Sequence, residues 1–267
     1  MPEGHTIHRL ARAQRKSFGG HVVHAASPQG RFAEGAALID GRALRRTEAY
    51  GKHLLHHYDG GVLLHVHLGL YGTFSTGTGD PPQPRGALRL RLVGNANWAD
   101  LRGPTTCELL EPAERTALLA RLGPDPLRRD RDSTAALTRI TRSKTSIAAL
   151  LMDQTVVAGV GNVYRAELLF RHRVDPYLPG RALTDVRWMA MWDDLVVLMT
   201  AGLRTGRIVT LAAADRPRQR GVLTREQSVY VYRRAGLPCR VCGSAIRTET
   251  VVGRNLYWCP TCQTAVV

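Results

Sequence analysis

Long apolar runs are missing from this 267-residue chain, and none approaches the roughly 18–20 residues needed to cross a bilayer. A membrane-spanning role is therefore not expected. The N-terminal stretch carries Glu3 and His5 but no apolar core of the signal-peptide kind, so a cytoplasmic location is expected. Acidic residues are scarce: 22 against 37 basic ones give a net charge of +15 and a pI near 10.5. A surface so positive points to a polyanionic partner, although charge alone does not separate nucleic acid from an anionic membrane. Lysine is scarcer still, with Lys16, Lys52 and Lys144 standing among 34 arginines. Of the five cysteines four lie close together near the C-terminus, and Cys107 stands apart as a structural thiol. What is plentiful is apolar content, 44%, which supports real cores and excludes wholesale disorder. Internal repeats and heptads are absent.

The start, Met1-Pro2-Glu3-Gly4, can carry chemistry. Trimming of Met1 leaves Pro2 with a free secondary amine. Such an amine attacking a sugar carbon gives an iminium, whose fixed positive charge acidifies the adjacent C–H and favours elimination. An α-amino group titrates near ~7.7–8.0, so a reactive unprotonated fraction exists at neutral pH. Glu3 beside it can donate or accept the proton such a step needs.

Along the chain, residues 1–120 read mostly as strands, after a helix-like segment from Ile7 to Phe18. Asp59-Gly60-Gly61 between two apolar runs is a hairpin signal. Leu88 to Val93 alternates leucine and arginine as a half-exposed strand does, and Thr76 to Gly86 reads as a surface loop. Gly123-Pro124-Asp125-Pro126 breaks the chain; the pattern beyond is helical, with a long apolar helix expected over Trp188 to Leu203. Arg207 to Arg225 is polar and reads as a loop. These shifts divide the chain into residues 1–122, 123–228 and 229–267.

Cys239-Arg240-Val241-Cys242 and Cys259-Pro260-Thr261-Cys262, sixteen residues apart, have the two-knuckle spacing of a tetrahedral zinc site. Four thiolates leave no open position, so one structural Zn²⁺ is expected on Cys239, Cys242, Cys259 and Cys262. The hairpin between the pairs would carry Arg247, Arg254 and Tyr257. Gly159-Val160-Gly161-Asn162 precedes a helical pattern: Asn162 suits an N-cap over free amides that attract phosphate, or the segment is a plain packing corner. Lys52, between Gly51 and His53, can reach a phosphate as a point charge. His65 and His67 share a strand face and could ligate a metal, but no partner stands at a recognisable spacing.

Together these pieces resemble the formamidopyrimidine-DNA glycosylase and endonuclease VIII family of DNA repair enzymes. The resemblance runs in order through Pro2-Glu3-Gly4, Gly51-Lys52-His53, His67-Leu68-Gly69-Leu70-Tyr71-Gly72, Arg121-Leu122-Gly123-Pro124-Asp125-Pro126-Leu127, Ser143-Lys144-Thr145-Ser146-Ile147, Leu151-Met152-Asp153-Gln154, Gly159-Val160-Gly161-Asn162-Val163-Tyr164 and the cysteine cluster with Gly253-Arg254. It implies an α+β fold: an N-terminal β-sandwich, a helix–two-turn–helix domain and a zinc finger, a nucleoid-associated monomer acting on damaged double-stranded DNA. By the same resemblance Pro2 attacks C1′ of a flipped-out nucleotide and Glu3 supplies the proton. Lys52 and Arg254 serve elimination at the lesion phosphates. Arg121, Lys144 and Asn162 contact the backbone, and Leu70 and Tyr71 fill the gap left in the stack.

Gly4 with Leu70-Tyr71 resembles the endonuclease VIII branch, which takes oxidised pyrimidines. The alternatives are a purine-type enzyme for formamidopyrimidine and 8-oxoguanine, or a damaged-DNA-binding protein with weak turnover. Two departures stand out: His5-Thr6 where the family carries Pro-Glu, and Gly69 where the endonuclease VIII branch carries glutamine.

Overall fold

The computed structural model describes residues 2–216 and 221–264 and divides into two compact units, residues 1–121 and 122–267. In the first unit, helix α1 (Gly4–Phe18) starts directly after Glu3 and buries Ile7, Ala11, Gln14 and Phe18. Those positions recur at helical spacing, so one stripe faces the core. Then follow β1 (Val22–Ala26), α2 (Ala33–Ile39), β2 (Arg42–Tyr50), β3 (His53–Tyr58), β4 (Leu63–His67), β5 (Thr73–Thr78), β6 (Leu88–Val93), β7 (Asn97–Arg102), β8 (Thr106–Leu109) and α3 (Pro112–Ala120). The strands pair antiparallel in the order β5-β7-β6-β1-β2-β3-β4-β8. β1 divides its pairing: Val22 and Val23 face β2, whereas His24 to Ala26 face β6. Both halves of the ladder share one apolar core, in which Val23, Leu44, Leu54 and Val66 meet Leu90, Leu92 and Leu101. The expected hairpin is present, with Gly60 and Gly61 at positive φ between β3 and β4.

Two expectations change. β5 runs through Thr76 and Thr78, so the expected loop is shorter at its start. Gly77 permits this, because a Cβ there would come within 2.5 Å of the Trp98 ring on β7. Arg91, expected on a solvent face of β6, is only 8% exposed. It makes a bidentate pair with fully buried Asp100, its register partner on β7, at 2.7 and 2.8 Å. A buried carboxylate leaves the arginine no reason to turn outward.

The second unit holds α4 (Ser133–Thr141), α5 (Ile147–Leu150), α6 (Asn162–Arg171), α7 (Asp185–Thr205) and a hairpin of β9 (Arg247–Val251) and β10 (Arg254–Trp258). The long apolar helix is α7, capped by the Thr184 hydroxyl and stopped by Gly206 in the left-handed region. No helix among the described residues is long and apolar enough to cross a membrane. The two turns between α5 and α6 are organised by one side chain. Gln154 donates to the carbonyls of Met152 and Val160 and accepts from the Gly159 amide, at 2.9–3.0 Å.

The hairpin turn holds Val252 at φ 53° and Gly253 at φ 64°. A β-branched residue in the left-handed region is strained by ~1–2 kcal/mol, and asparagine is the preferred residue before such a glycine. Val252→Asn should therefore raise the stability of this unit by about 1 kcal/mol, read as an increase in the denaturant midpoint at unchanged slope.

Candidate active site and metal centre

On the first unit, Pro2 is half-buried and Glu3 fully buried, at the head of α1. The Glu3 backbone carbonyl accepts from Thr6 and Ile7, yet its side chain does not cap the helix. α1 packs along β2 and β3, and Lys52 sits in the turn joining those two strands, next to Gly51 at φ 56°. His5 is 4% exposed, and burial, then Arg9 and His8, holds its imidazole near pKa 4, so it stands neutral at pH 7 where the family carries Pro.

Leu70 and Tyr71 lie in the turn after β4, 41% and 85% exposed. Large apolar side chains left in water at a tight turn suit insertion into another apolar surface, such as stacked bases. Gly69 supports that turn at φ 66°, and a Cβ on it would come within 1.9 Å of the Thr105 hydroxyl. The departure at this position is thus built into the turn. Gly69→Gln should cost about 1–3 kcal/mol and displace Thr105, which a thermal melt and a crystal structure of the variant would register. Arg121, exposed, closes this unit just past α3.

On the second unit, Lys144 is exposed between α4 and α5. The N-cap of α6 is Gly161, not Asn162, whose side chain is committed elsewhere. Asn162 is 5% exposed, donates from Nδ2 to the Asn255 carbonyl at 2.9 Å, and accepts from Arg165 through Oδ1. Arg165, fully buried, reaches the Val251 carbonyl at 3.3 Å. Asn162 and Arg165 thereby fasten the hairpin to α6 and fix the base from which Arg254 projects. Arg254 is half-buried at the start of β10, with its Nη1 on the Gly253 carbonyl at 2.9 Å. Sequence reasoning missed Arg165 because nothing local distinguishes it from the other arginines.

It also missed Glu167. This buried carboxylate accepts the amides of Tyr230, Val231 and Tyr232 at 2.7–2.8 Å and the Thr210 hydroxyl. Burial pushes its carboxyl up in pKa, against the pull of those donors. Through Thr210 and Tyr230 it holds both stems of the polar segment expected as a loop, of which residues 217–220 lie outside the described residues.

The four cysteines converge, with their sulfurs all within 4.8 Å of one another. Cys239 and Cys262 Sγ are 3.9 Å apart, Cys242 and Cys259 Sγ 3.4 Å, and none is in a disulfide. Zn–S bonds of ~2.3 Å at tetrahedral angles put sulfurs about 3.8 Å apart, so the donor set fits the ion. Amides of Val241 and Cys262 donate to the Cys239 and Cys259 sulfurs at 3.4 Å, as thiolates in such knuckles require. His53, His65 and His67 offer no comparable set: among the described residues the cysteines alone bring three or more ligand atoms within 4.8 Å.

Comparison with known proteins finds three family models along the chain. Residues 1–107 fit the formamidopyrimidine-DNA glycosylase N-terminal domain, residues 122–213 the formamidopyrimidine-DNA glycosylase H2TH domain, and residues 236–265 a zinc finger found in FPG and IleRS. The chain is 54% identical over 268 residues to Endonuclease 8 1 of Mycobacterium tuberculosis, spanning 99% of this chain and all of that one. Its structure superimposes on the MutM (Fpg) protein of Thermus thermophilus with a TM-score of 0.79 at 30% identity, covering 98% of each chain. It shares its fold, at 21% identity and a TM-score of 0.82, with Lactococcus lactis Fpg in complex with DNA containing N7-benzyl-Fapy-dG, over 98% of this chain and 99% of that one.

Proposed function

This chain belongs to the formamidopyrimidine-DNA glycosylase and endonuclease VIII family, and from that premise we propose that it excises oxidised pyrimidines from duplex DNA and cleaves the resulting abasic site through Pro2. It is a DNA repair glycosylase with abasic-site lyase activity. The observation that carries the mechanistic reading is the pairing of a half-buried Pro2 with a fully buried Glu3 at the head of α1. The neutral Pro2 amine attacks C1′, the damaged base leaves, and the iminium's charge lowers the barrier to removing the C2′ proton. Glu3 moves the proton that opens the sugar or frees the base. With the C3′–O bond broken, the departing phosphate takes the electron pair, and Lys52 supplies cation and proton there. Arg254 assists the second, δ-elimination, with Lys144, Asn162 and Arg121 on flanking phosphates. Asn162 reaches the backbone in this reading through the α6 start that it helps to hold.

Cys239, Cys242, Cys259 and Cys262 hold one Zn²⁺, which is structural: it keeps the hairpin rigid so that Arg254 stays aimed. The pyrimidine preference rests on Gly4, on Leu70-Tyr71 and on similarity to an Endonuclease 8 relative. Single-turnover excision from matched duplexes carrying 5-hydroxycytosine, thymine glycol, 8-oxoguanine or formamidopyrimidine tests it. Faster release of the pyrimidines is expected. Faster release of 8-oxoguanine would give the purine-type reading, and tight binding with no release would give the binding-protein reading.

A further inference from the structure

At the end of α6 the second unit carries a hollow that the repair reading leaves unused, with a volume of about 440 Å³. Phe170 and Tyr230 form one wall, their rings 5.0 Å apart between centroids and 30° between planes, each residue 5% exposed. At that exposure little more than ring edges reaches the hollow, and an aromatic edge suits the face of a flat heterocycle. Val241 of the first cysteine knuckle, 53% exposed, adds an apolar rim. Arg171, Arg173 and Asp194 bring charge to it. A second hollow of about 370 Å³ shares Arg173, Val241 and Cys262 with the first, so the two adjoin. It adds Arg187 from α7 and the hydroxyls of Thr261 and Thr264, and no carboxylate among the described residues. Either volume falls in the ~300–1,000 Å³ range of small-ligand sites.

Asp194 is already committed. Arg171 donates to it from Nε and Nη2 at 2.6 and 2.8 Å, and His172 Nε2 lies 3.1 Å from it. Burial pulls its carboxyl up, but these partners outweigh burial and hold the group near pKa 2, a fixed anion. Three guanidiniums then stand against one neutralised carboxylate, which repels a metal ion and attracts an anion. The position of Arg173 is informative in itself. It follows α6 at φ 52°, its amide on the Phe170 carbonyl at 3.0 Å and that of Val174 on the Leu169 carbonyl at 2.9 Å. Glycine ends a helix this way without strain. An arginine there is strained, and what it adds over glycine is a cation where the two hollows meet.

We propose that the adjoining hollows form a nucleotide site within the second unit: a flat heterocyclic base lies against Phe170, Tyr230 and Val241, and its phosphate is held by Arg173 and Arg187 with the Thr261 and Thr264 hydroxyls. The ligand is a nucleoside phosphate, free in solution or at the phosphorylated end of a single strand, and no covalent bond changes. Inorganic phosphate would leave the aromatic wall unused, and a nucleoside would leave the guanidiniums unmatched. The site goes beyond the repair reading and does not depend on it. Arg171 also donates to the Thr210 carbonyl at 2.6 Å, and the Tyr230 hydroxyl accepts the Ala212 amide at 3.0 Å. Filling the hollow is therefore felt in the backbone of residues 210–212.

Amide ¹H–¹⁵N spectra of the full-length, zinc-loaded protein test the site, recorded without DNA and again with a saturating duplex that carries a tetrahydrofuran abasic analogue. Deoxyadenosine 5′-monophosphate should move the amides of Arg173, Val241, Thr210 and Ala212 saturably in both states. Deoxyadenosine and inorganic phosphate should each bind at least about tenfold more weakly, as expected when charged hydrogen bonds or the apolar wall go unmade. Arg173→Gly, which also relieves the strained φ, should lower nucleotide affinity at least about tenfold without lowering the melting temperature. Arg187→Gln should weaken it similarly, and borohydride trapping at an abasic site should be unchanged in both variants. A short 5′-phosphorylated single strand that binds as tightly as the mononucleotide would place strand ends in the site, whereas binding of the mononucleotide alone would make a free nucleotide the ligand. No saturable shift with either nucleotide probe, unchanged affinity in either arginine variant, or inorganic phosphate binding as tightly as the nucleotide would overturn the site. A wild-type protein that neither binds the duplex nor traps on an abasic site would end the repair reading separately.

Discussion

Stripping the metal with a chelator, or replacing Cys259 with serine, should abolish duplex binding and unfold more than the finger. Structural zinc contributes ~10–16 kcal/mol in small modules, which is as much as the ~5–15 kcal/mol total stability of a typical domain. Here the hairpin is not a detachable appendage. Leu256 on β10 is fully buried in the core formed by Ile147, Tyr164, Leu168, Trp188 and Met199. Cys239 and Cys259 pack with Ala166 and Phe170 of α6, and Gln263 donates to the Val174 carbonyl at 3.0 Å. From sequence, the last ~35 residues look like a small zinc unit that folds on its own metal; the shared core argues otherwise. Calorimetry of the chelated protein should therefore lose the whole transition of residues 122–267, while that of residues 1–121 persists. Survival of both transitions with only local loss around the cysteines would show that the finger folds alone.

Blocking the N-terminus should have the largest effect on activity. A form that retains Met1 or an N-terminal tag makes the Pro2 nitrogen an amide, which has no lone pair free for attack. Strand cleavage at an abasic site should fall by at least ~10³-fold, in the range seen when a nucleophile is removed from other enzymes. Duplex affinity should change little, because the cations proposed to face phosphates are untouched. Proteolytic release of the tag should restore cleavage, with single-turnover rates on one preparation before and after removal giving the comparison. An extended form that cleaves at the rate of the trimmed one would exclude Pro2 as nucleophile.

Much of the molecule is legible from the chain because its signals are local. The cysteine spacing, the glycine-marked hairpin between β3 and β4, the end of α1 and most of the span of α7 each rest on a few neighbouring residues. What is not legible depends on partners far along the chain. Arg91 turns inward because Asp100 stands opposite it, and β5 extends because Gly77 yields to Trp98. Asn162 has the composition of an N-cap but is drawn into the hairpin by Asn255, 93 residues away. Glu108, the acidic partner that the sequence did not supply for His65, lies 43 residues from it and becomes its neighbour only when β4 and β8 pair. Gly69 lies between these cases: the departure from the related branch is visible in the sequence, whereas its cause, Thr105 and a positive φ, is visible only in the fold.

The central claim is a covalent intermediate on Pro2. Sodium borohydride reduction of the untagged protein mixed with an abasic-site duplex, followed by proteolysis and mass spectrometry, tests it most directly. The account predicts a stable protein–DNA adduct mapping to the N-terminal peptide at Pro2. An adduct on Lys52 or another lysine, or no adduct despite tight binding to the same duplex, would contradict it.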